Sequence, residues 1–294
     1  MNCGALRRNN IALVACAAVL LALSARAHAA YPMRVKDARG KVVTIKAKPV
    51  RIVSLTPSNT EILFALGLKN RIVGVTRYCD YPAQARKKSK VGDMTISVEA
   101  VAVLRPDLVL AHATINDAVI PRLERLGMTV FAIDPKTLDE VVRDIRTVGK
   151  ITARPRTAES VAKRMQSDIA AVKASRANKR SRKVLVVIQA NPLWSAGPKT
   201  FVDEMIRIAK GKNIAYDARP GFNTFSKELA VKRNPDVIVA GVTSDADYFL
   251  KSPLWRHTNA VKHKRVHVIE SELVVRPGPR LTTGLKRLAE KLSY

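Results

Sequence analysis

The predicted architecture depends on residues 138–174, which read LDEVVRDIRTVGKI-TARPR-TAESVAKRMQSDIAAVKA. Apolar residues recur in it at helical spacing, namely Val141, Ile145 and Val148 in the first half and Val161, Met165, Ile169 and Val172 in the second. The pattern predicts two helices that are broken near Pro155, a favourable residue for the first turn of the second helix. That second helix, over residues 155–179, would extend about 35 Å at about 1.5 Å per residue, which is the diameter of a small domain. The stretch is therefore predicted to be a stiff spine between two domains.

Short apolar strands alternate with single helices on both sides of this spine. The alternation runs over residues 51–133 on the N-terminal side and over residues 183–292 on the C-terminal side, and a small hairpin over residues 34–45 precedes it. Ser58 and Glu61 have the spacing of a capping box, which predicts the start of the first helix. Strands separated by one helix pair in parallel through right-handed crossovers. The sequence therefore predicts an α/β fold with two Rossmann-like lobes and parallel sheets, joined by a long connecting helix. The predicted bounds are 30–136 for the N-terminal lobe, 137–180 for the connecting helices and 181–294 for the C-terminal lobe.

An internal repeat links the two predicted lobes. SVEAVAVLRPDLVLA, residues 97–111, aligns without gaps on SKELAVKRNPDVIVA, residues 226–240, at a shift of 129 residues. Both segments read as a short helix followed by a buried strand, and both keep Ser, Glu and Pro-Asp at the same places. Two copies are too few for a solenoid. They indicate two related lobes that face each other across a cleft.

The first 29 residues are typical of a secretory signal peptide. Arg7 and Arg8 precede an apolar run over residues 11–23, and Ala27-His28-Ala29 provides a cleavage site. An alternative is a lipoprotein signal with the acylated cysteine at Cys16. No later apolar run approaches the length of about 18 residues that spans a membrane, so we expect a periplasmic protein. Cys79 is the only cysteine after residue 29, which predicts that the mature chain has no internal disulfide.

The chain is strongly basic. Its formal net charge is +28, and the three arginines of the signal segment leave +25 for the mature part. Such a charge suits nucleic acid or an anionic surface. Lysine and arginine are nevertheless scattered along nearly every segment, and aromatic residues make up only 5% of the chain. We therefore expect a basic solvated surface and no nucleic-acid partner.

The sequence lacks the common signatures of catalysis. It contains no glycine-rich phosphate loop and no nucleophile elbow, and its histidines show no zinc-protease spacing. An enzyme would have to rely on Cys79 with His112. We therefore expect a binding protein that is not an enzyme and carries no cofactor.

A set of aromatic and polar residues follows the predicted strands, where α/β sheets bind their ligands. These residues are Tyr78, Cys79, Asp80, Tyr81, Met94, His112 and Asp134 in the first lobe, and Trp194, Phe222, Phe225, Glu270, Glu272 and Arg276 in the second. Large flat rings with a few polar groups suit a bulky, partly apolar ligand. The alternative is that Trp194 and Phe222 only cap the core. For His112, a hydrogen-bonded loop residue is favoured over a metal ligand.

Glu99 and Glu228 occupy the same place in the internal repeat. Each lies two residues after a serine that can cap a helix, where the helix dipole stabilises a carboxylate. That local effect alone would explain both glutamates. The functional alternative is that one carboxylate from each lobe meets arginines of a two-fold symmetric partner.

Three motifs resemble the cobalamin-binding periplasmic proteins of ABC importers. They are RIVSLTPSNTE at residues 51–61, VGVTRYCDYP at residues 73–82 and LRPDLV at residues 104–109. These proteins belong to a larger group with a helical spine that also carries haem and ferric siderophores. The likeness covers essentially the whole mature chain, and Tyr-Cys-Asp-Tyr-Pro is the part typical of the cobalamin branch.

The resemblance implies a function and a site. It implies a monomeric, exported substrate-binding protein that captures a corrinoid between its lobes and delivers it to the permease dimer of an ABC importer. It places ligand contacts at Tyr78, Trp194, Phe222, Glu272 and Arg276. It places the docking carboxylates at Glu99 and Glu228.

The chain also departs from the family pattern. In this chain Met94 lies near the position of one family tryptophan, and Leu273 replaces another. His112 occupies a position at which some family members have a third tryptophan. Met94 and His112 are kept as candidate ligand contacts. A less aromatic pocket leaves the ligand open between cobalamin, another corrinoid, and haem with His112 or Tyr78 on the iron.

Overall fold

The computed structural model describes residues 31–293. The predictions for residues 1–29, including the signal peptide and Cys16, lie outside these residues. Within residues 31–293, no helix is both long enough and apolar enough to span a membrane.

The antiparallel hairpin β1 (Met33–Lys36) and β2 (Val42–Ile45) precedes the first sheet. The strands of this sheet are β3 (Ile52–Ser54), β4 (Ile72–Val75), β5 (Ser89–Lys90), β6 (Leu108–His112) and β7 (Val130–Ile133). All five are parallel, in the order β5-β4-β3-β6-β7. Its helices are α1 (Pro57–Ala65), α2 (Val98–Val103) and α3 (Ile120–Arg125), and a 3-10 helix covers Ala83–Lys87. Every residue of β3, β6 and β7 is buried, as expected for parallel strands covered on both faces.

The second sheet has six strands and is mixed. Its strands are β8 (Arg182–Gln189), β9 (Trp194–Ala196), β10 (Gly211–Asn213), β11 (Phe222–Thr224), β12 (Val237–Ala240) and β13 (Val266–Val268). The order is β11-β9-β8-β12-β13, with β10 also on β8. β10 and β12 run parallel to β8, and β13 runs parallel to β12, whereas the β8–β9 and β9–β11 pairs are antiparallel. The helices are α6 (Phe201–Ile208), α7 (Lys227–Arg233), α8 (Thr243–Lys251), α9 (Asn259–Lys262), α10 (Ser271–Val275) and α11 (Leu281–Lys291).

The spine consists of α4 (Leu138–Ile151) and α5 (Pro155–Arg176), and the second helix begins at the predicted Pro155. The two helices fold back on each other. A Cβ atom added to Gly149 would lie 2.2 Å from the Cβ atom of Ala158, so only glycine permits this approach. Arg146 pairs with Glu159 at 2.8 Å across the two helices. The chain reverses between them at Ala153, whose φ is 55°. The break is therefore a tight turn between packed helices.

The spine contacts both lobes. α4 packs against α1 and α6, and α5 packs against α6 and α11. The buried residues of α5 differ from the predicted apolar set, since Ala158 and Ala162 are buried whereas Val161 and Ile169 are half-buried. Small alanines let the helices approach closely, which moves the contact face around α5.

The internal repeat occupies matching places in the two sheets. α2 leads into β6, which pairs with β3, and α7 leads into β12, which pairs with β8. The repeated aspartates make the same contact. Asp107 accepts a hydrogen bond of 2.8 Å from the backbone N–H of Val50, just before β3, and Asp236 accepts one of 2.8 Å from Lys183, at the start of β8. Each Pro-Asp pair thus ties the start of the central strand to its neighbour.

The predicted fold class, two α/β lobes joined by helices, is confirmed. The prediction that both sheets are purely parallel is wrong for the second one, because β9 and β11 are antiparallel. These strands have three residues each and carry no readable alternation. Helices α8, α9 and α10 also went unpredicted. The exact domain bounds remain predictions, since residues 31–293 pack as one compact unit.

Candidate ligand cleft and docking surface

The carboxyl ends of the two sheets meet at one interface. The loop after β4 in the first lobe touches the segment after α10 in the second. There, Nη1 of Arg276 lies 2.6 Å from Oδ1 of Asp80, and Nη2 of Arg280 lies 2.6 Å from Oε1 of Glu61. The guanidinium of Arg280 also lies 3.8 Å from the ring centroid of Tyr81. This interface is the edge at which α/β sheets bind ligands.

The first lobe presents exposed rings and apolar side chains at this edge. Tyr78 is 52% exposed and Met94 is 75% exposed, and Tyr81 and Ile115 are also exposed. Met94 and Ile115 line a cavity of about 170 Å³ together with Asn116, Val119 and other residues. The sequence did not single out Ile115, whose position four residues before a buried valine resembles that of an ordinary helix residue.

The second lobe presents two aromatic residues on neighbouring strands. Trp194 in β9 pairs with Thr224, and Phe222 lies two residues before Thr224 in β11. Alternate residues of a strand share one face, so Trp194 and Phe222 lie on the same face of this ribbon. They are 38% and 36% exposed. Phe222 also packs on Phe201 at a centroid distance of 5.8 Å. Phe225, by contrast, belongs to the core.

His112 lies at the end of β6 and is buried. Its backbone N–H donates to the side chain of Asn116 at 2.8 Å, and its Nδ1 accepts from the backbone N–H of Ile115 at 3.4 Å. Its Nε2 lies 3.5 Å from Asp134. Burial lowers the pKa of His112 although the charge of Asp134 opposes this, so the ring is neutral at neutral pH. The geometry is that of a hydrogen-bonded loop residue.

Arg276 and Glu272 lie at the contact between the lobes. Nη1 of Arg276 lies 3.3 Å from Glu61 in addition to its contact with Asp80, and Nη2 lies 4.0 Å from Glu272. Burial would lower the pKa of Arg276, but the hydrogen bonds and charges of Asp80 and Glu61 raise it. Arg276 is therefore a cation surrounded by protein carboxylates.

Glu61 has a different role from the predicted one. The sequence predicted a capping box from Ser58 to Glu61, but the residue before α1 is Thr56 and no side chain caps the helix. Glu61 is only 4% exposed and accepts hydrogen bonds from Arg280 at 2.6 and 2.8 Å. The capping prediction is wrong because two arginines of the other lobe bind the carboxylate of Glu61. Local spacing carried no signal of partners more than 200 residues away.

Glu99 and Glu228 have nearly identical surroundings. Ser97 and Ser226 cap their helices by accepting from a backbone N–H at 3.0 Å in each case. Each serine hydroxyl also donates to the glutamate two residues on, at 2.9 Å for Glu99 and 2.8 Å for Glu228. Backbone N–H groups and these hydroxyls lower the pKa of both glutamates. Both are exposed and ionised, so each lobe offers one solvated carboxylate at a helix start.

Cys79 is buried with a free thiol. Its sulfur lies 3.1 Å from the hydroxyl of Thr60 and 3.2 Å from that of Thr76. The thiol is packed under the loop that carries Tyr78 and Tyr81, and His112 is engaged elsewhere. Within the described residues, no group of three or more His, Cys, Asp and Glu side chains could hold a metal ion.

These features are those of a two-lobe α/β protein whose sheets end at a shared interface. The chain belongs to the periplasmic binding protein family, whose sequence model matches residues 52–273. It is 39% identical over 270 residues to an uncharacterised ABC transporter substrate-binding lipoprotein of Bacillus subtilis, covering 89% of this chain and 86% of the relative.

Two further comparisons indicate the group within the family. A cobalamin-binding protein of Halobacterium salinarum is 30% identical over 271 residues, covering 88% of this chain and 73% of the relative. A solved structure of a periplasmic haem-binding protein from Roseiflexus is 28% identical, with a TM-score of 0.74 over 83% of this chain and 97% of that one. The chain is thus a substrate-binding protein of the group that includes cobalamin- and haem-binding members.

Proposed function

We propose that this protein captures a corrinoid, cobalamin or a related cobamide, between its lobes and delivers it to a membrane ABC importer. The observation that carries the proposal is the set of exposed rings at the edge where both sheets end. Tyr78 and Tyr81 come from one lobe, and Trp194 and Phe222 come from the other. Bulky, partly apolar ligands are held by such rings, with few polar groups to orient them. The cobalamin-binding relative supports the same ligand.

Haem is the second candidate ligand. The haem-binding structural neighbour favours it, and so does the exposed Tyr78, whose phenol is a known type of haem-iron ligand. His112 is a poor candidate for the iron, because both ring nitrogens already face protein groups. Haem binding would therefore depend on Tyr78, whereas corrinoid binding would depend on the rings of both lobes.

The proposed setting is the periplasm, with the protein acting as a monomer. The signal segment favours release after about Ala29, and the lipoprotein relative supports the alternative of a lipid anchor at Cys16. Either form would bring the docking carboxylates Glu99 and Glu228 to a permease dimer in the membrane. Arginines of such a partner would pair with one glutamate from each lobe.

The ligand proposal is tested by calorimetry on the purified mature protein with cyanocobalamin, cobinamide and haemin. We expect a one-to-one complex with a corrinoid. Trp194→Ala and Phe222→Ala should each weaken it about tenfold or more, because each removes a large apolar contact. Tyr216→Ala is the matched control, since Tyr216 is an exposed aromatic residue outside the predicted site. Binding of haemin alone, abolished by Tyr78→Phe, would establish the second candidate instead.

The docking proposal has its own test, which is uptake of labelled ligand through the cognate importer. The double variant Glu99→Ala with Glu228→Ala should keep its ligand affinity and lose uptake at least tenfold, because it removes both charged partners. Glu290→Ala, at an exposed glutamate of α11, is the control and should transport normally. Normal uptake by the double variant would refute the assignment.

A further inference from the structure

We propose that Glu61, Asp80, Arg276 and Arg280, here called the interlobe ion cluster, fix the position of the lobes and of the Tyr78–Tyr81 loop for ligand binding. In this assignment Arg276 is a positioning residue instead of a ligand contact. The geometric part of the inference is independent of the ligand, and only its affinity part rests on the proposed function.

The interlobe ion cluster joins segments that are far apart in the chain. Glu61 lies in α1 and Asp80 in the loop after β4, both in the first lobe. Arg276 follows α10 and Arg280 precedes α11, both in the second lobe. Arg276 reaches both acids, at 2.6 Å for Asp80 and 3.3 Å for Glu61, and Arg280 binds Glu61 through two nitrogens. The cluster therefore crosses the cleft with two carboxylates on one side and two guanidinium groups on the other.

Burial makes this contact different from a surface ion pair. The side chain of Glu61 is 2% exposed, those of Arg276 and Arg280 are 15% and 23% exposed, and that of Asp80, at the edge of the cluster, is 38% exposed. Exposed ion pairs contribute little, because water and salt screen them. Around the buried Glu61, separation of the partners leaves a charge without compensation in a medium of low polarity. Opening of the lobes at this point is therefore opposed.

The same cluster holds the loop that carries the first lobe's rings. Asp80 lies between Tyr78 and Tyr81, and its contact with Arg276 anchors the loop from the side of the second lobe. The sulfur of Cys79 also holds the loop through contacts with the hydroxyls of Thr60 and Thr76. Arg280 packs on the ring of Tyr81 at 3.8 Å, a favourable cation–π distance. The rings are thus placed by groups of both lobes at once.

Arg276 is already surrounded by carboxylates of the protein. Its Nη1 donates to Asp80 and Glu61, and its Nη2 lies 4.0 Å from Glu272. A ligand carboxylate or phosphate would have to compete with these three acids for the charge of the guanidinium. The resemblance-based prediction of a ligand contact at Arg276 is therefore replaced by a positioning role.

The test measures lobe geometry and affinity separately. Spin labels on Leu126→Cys and Leu250→Cys, exposed positions in the two lobes, report the interlobe distance distribution without any ligand. The native Cys79 is buried and leaves the labelling specific. Asp80→Asn and Arg276→Gln should each broaden this distribution and weaken cyanocobalamin binding about tenfold. The double variant should do less than the sum of the two single ones, because both single changes remove the Arg276–Asp80 ion pair.

A direct ligand contact predicts a different pattern. Arg276→Gln would then weaken binding with an unchanged distance distribution, and Asp80→Asn would leave affinity intact. Either result overturns the proposal. If wild-type protein fails to bind cyanocobalamin, the proposed function fails, but the distance distributions of the two variants still decide the positioning role. Asp80 is partly exposed, so Asp80→Asn keeps the test valid if Arg276→Gln folds poorly.

Discussion

Glu61 and Glu99 lie in two helices of the same lobe, yet their surroundings are opposite. Glu61 is buried under two arginines of the other lobe, whereas Glu99 is exposed and held only by its own helix start and Ser97. Glu61 lies beyond the first turn of α1, and Glu99 lies in the first turn of α2. Contact with the second lobe therefore sets the role of Glu61, and the local helix start sets that of Glu99.

The internal repeat shows the same difference. Glu99 has a near-copy in Glu228, but the residue 129 places after Glu61 is Ala190. The lobes are thus alike at Glu99 and Glu228, the proposed docking glutamates, and at Asp107 and Asp236, and they differ where they touch each other. A two-fold symmetric partner would contact the first set, whereas the second set holds the lobes together.

The largest expected effect is at Glu61. Glu61→Ala should reduce the free energy of unfolding by about 3–5 kcal/mol, because Arg276 and Arg280 lose their shared buried counter-ion. The measurement is urea denaturation at neutral pH. Glu99→Ala is the matched control and should leave the midpoint nearly unchanged, since that carboxylate is exposed. Equal losses for the two variants would show that burial under Arg276 and Arg280 does not distinguish Glu61 from Glu99.

Asp144 tests what happens to a partly buried carboxylate when burial outweighs the charge of a nearby arginine. It lies in α4, and burial raises its pKa to about 7 from 3.8, with Arg143 opposing and Glu140 and Asp134 adding to the rise. The folded state thus keeps the proton that the unfolded chain releases. This contribution to stability is complete below about pH 4 and is lost as the pH rises through about 7, by up to about 4 kcal/mol.

The variant Asp144→Asn should remove this pH dependence. Its free energy of unfolding should match that of the wild type near pH 4 and exceed it at pH 8, because the amide carries no charge to bury. Denaturation midpoints at these two pH values measure the difference. A wild type that gained on the variant between pH 4 and pH 8 would contradict the raised pKa.

Much of the fold was readable from the sequence, for identifiable physical reasons. Pro155 and the apolar spacing around it predicted the two helices of the spine. The Pro-Asp repeat predicted the matching strands β6 and β12. The rings of Tyr78 and Trp194 were predicted to follow strands. In the structure Tyr78 lies in the loop after β4, and Trp194 begins the short strand β9 that follows β8. Local patterns sufficed because these features depend on neighbouring residues.

The interlobe contacts were not readable in this way. Glu61 has a spacing that fits a capping box, and nothing near it in sequence reveals Arg280, which lies 219 residues later. The β9 and β11 strands are too short for alternation to show, and they form because β9 pairs with both β8 and β11. Long-range pairing of this kind is fixed by the packed lobes.

The smallest expected effect concerns the serine caps of the repeat. Ser97→Ala and Ser226→Ala should each cost about 1 kcal/mol in the free energy of unfolding, the usual value for a lost helix cap. Each change also removes the hydroxyl that donates to Glu99 or Glu228, so the pKa of that glutamate should rise toward its ordinary value. Urea denaturation measures the free energy of unfolding, and carboxyl titration followed by NMR measures the pKa of each glutamate. Threonine at either place should restore the cap and most of the lowered pKa.

Equal responses at the two serines would establish that the repeat presents two equivalent carboxylates, as docking to a two-fold partner requires. The neighbouring charges differ, however, since Arg122 lowers the pKa of Glu99 and Lys227 lowers that of Glu228. If the pKa of one glutamate rises on loss of its serine and the pKa of the other does not, the neighbouring charges, and not the repeated serine cap, control these pKa values. The two docking positions would then be equivalent in backbone only, and a symmetric partner would meet them with unequal strength.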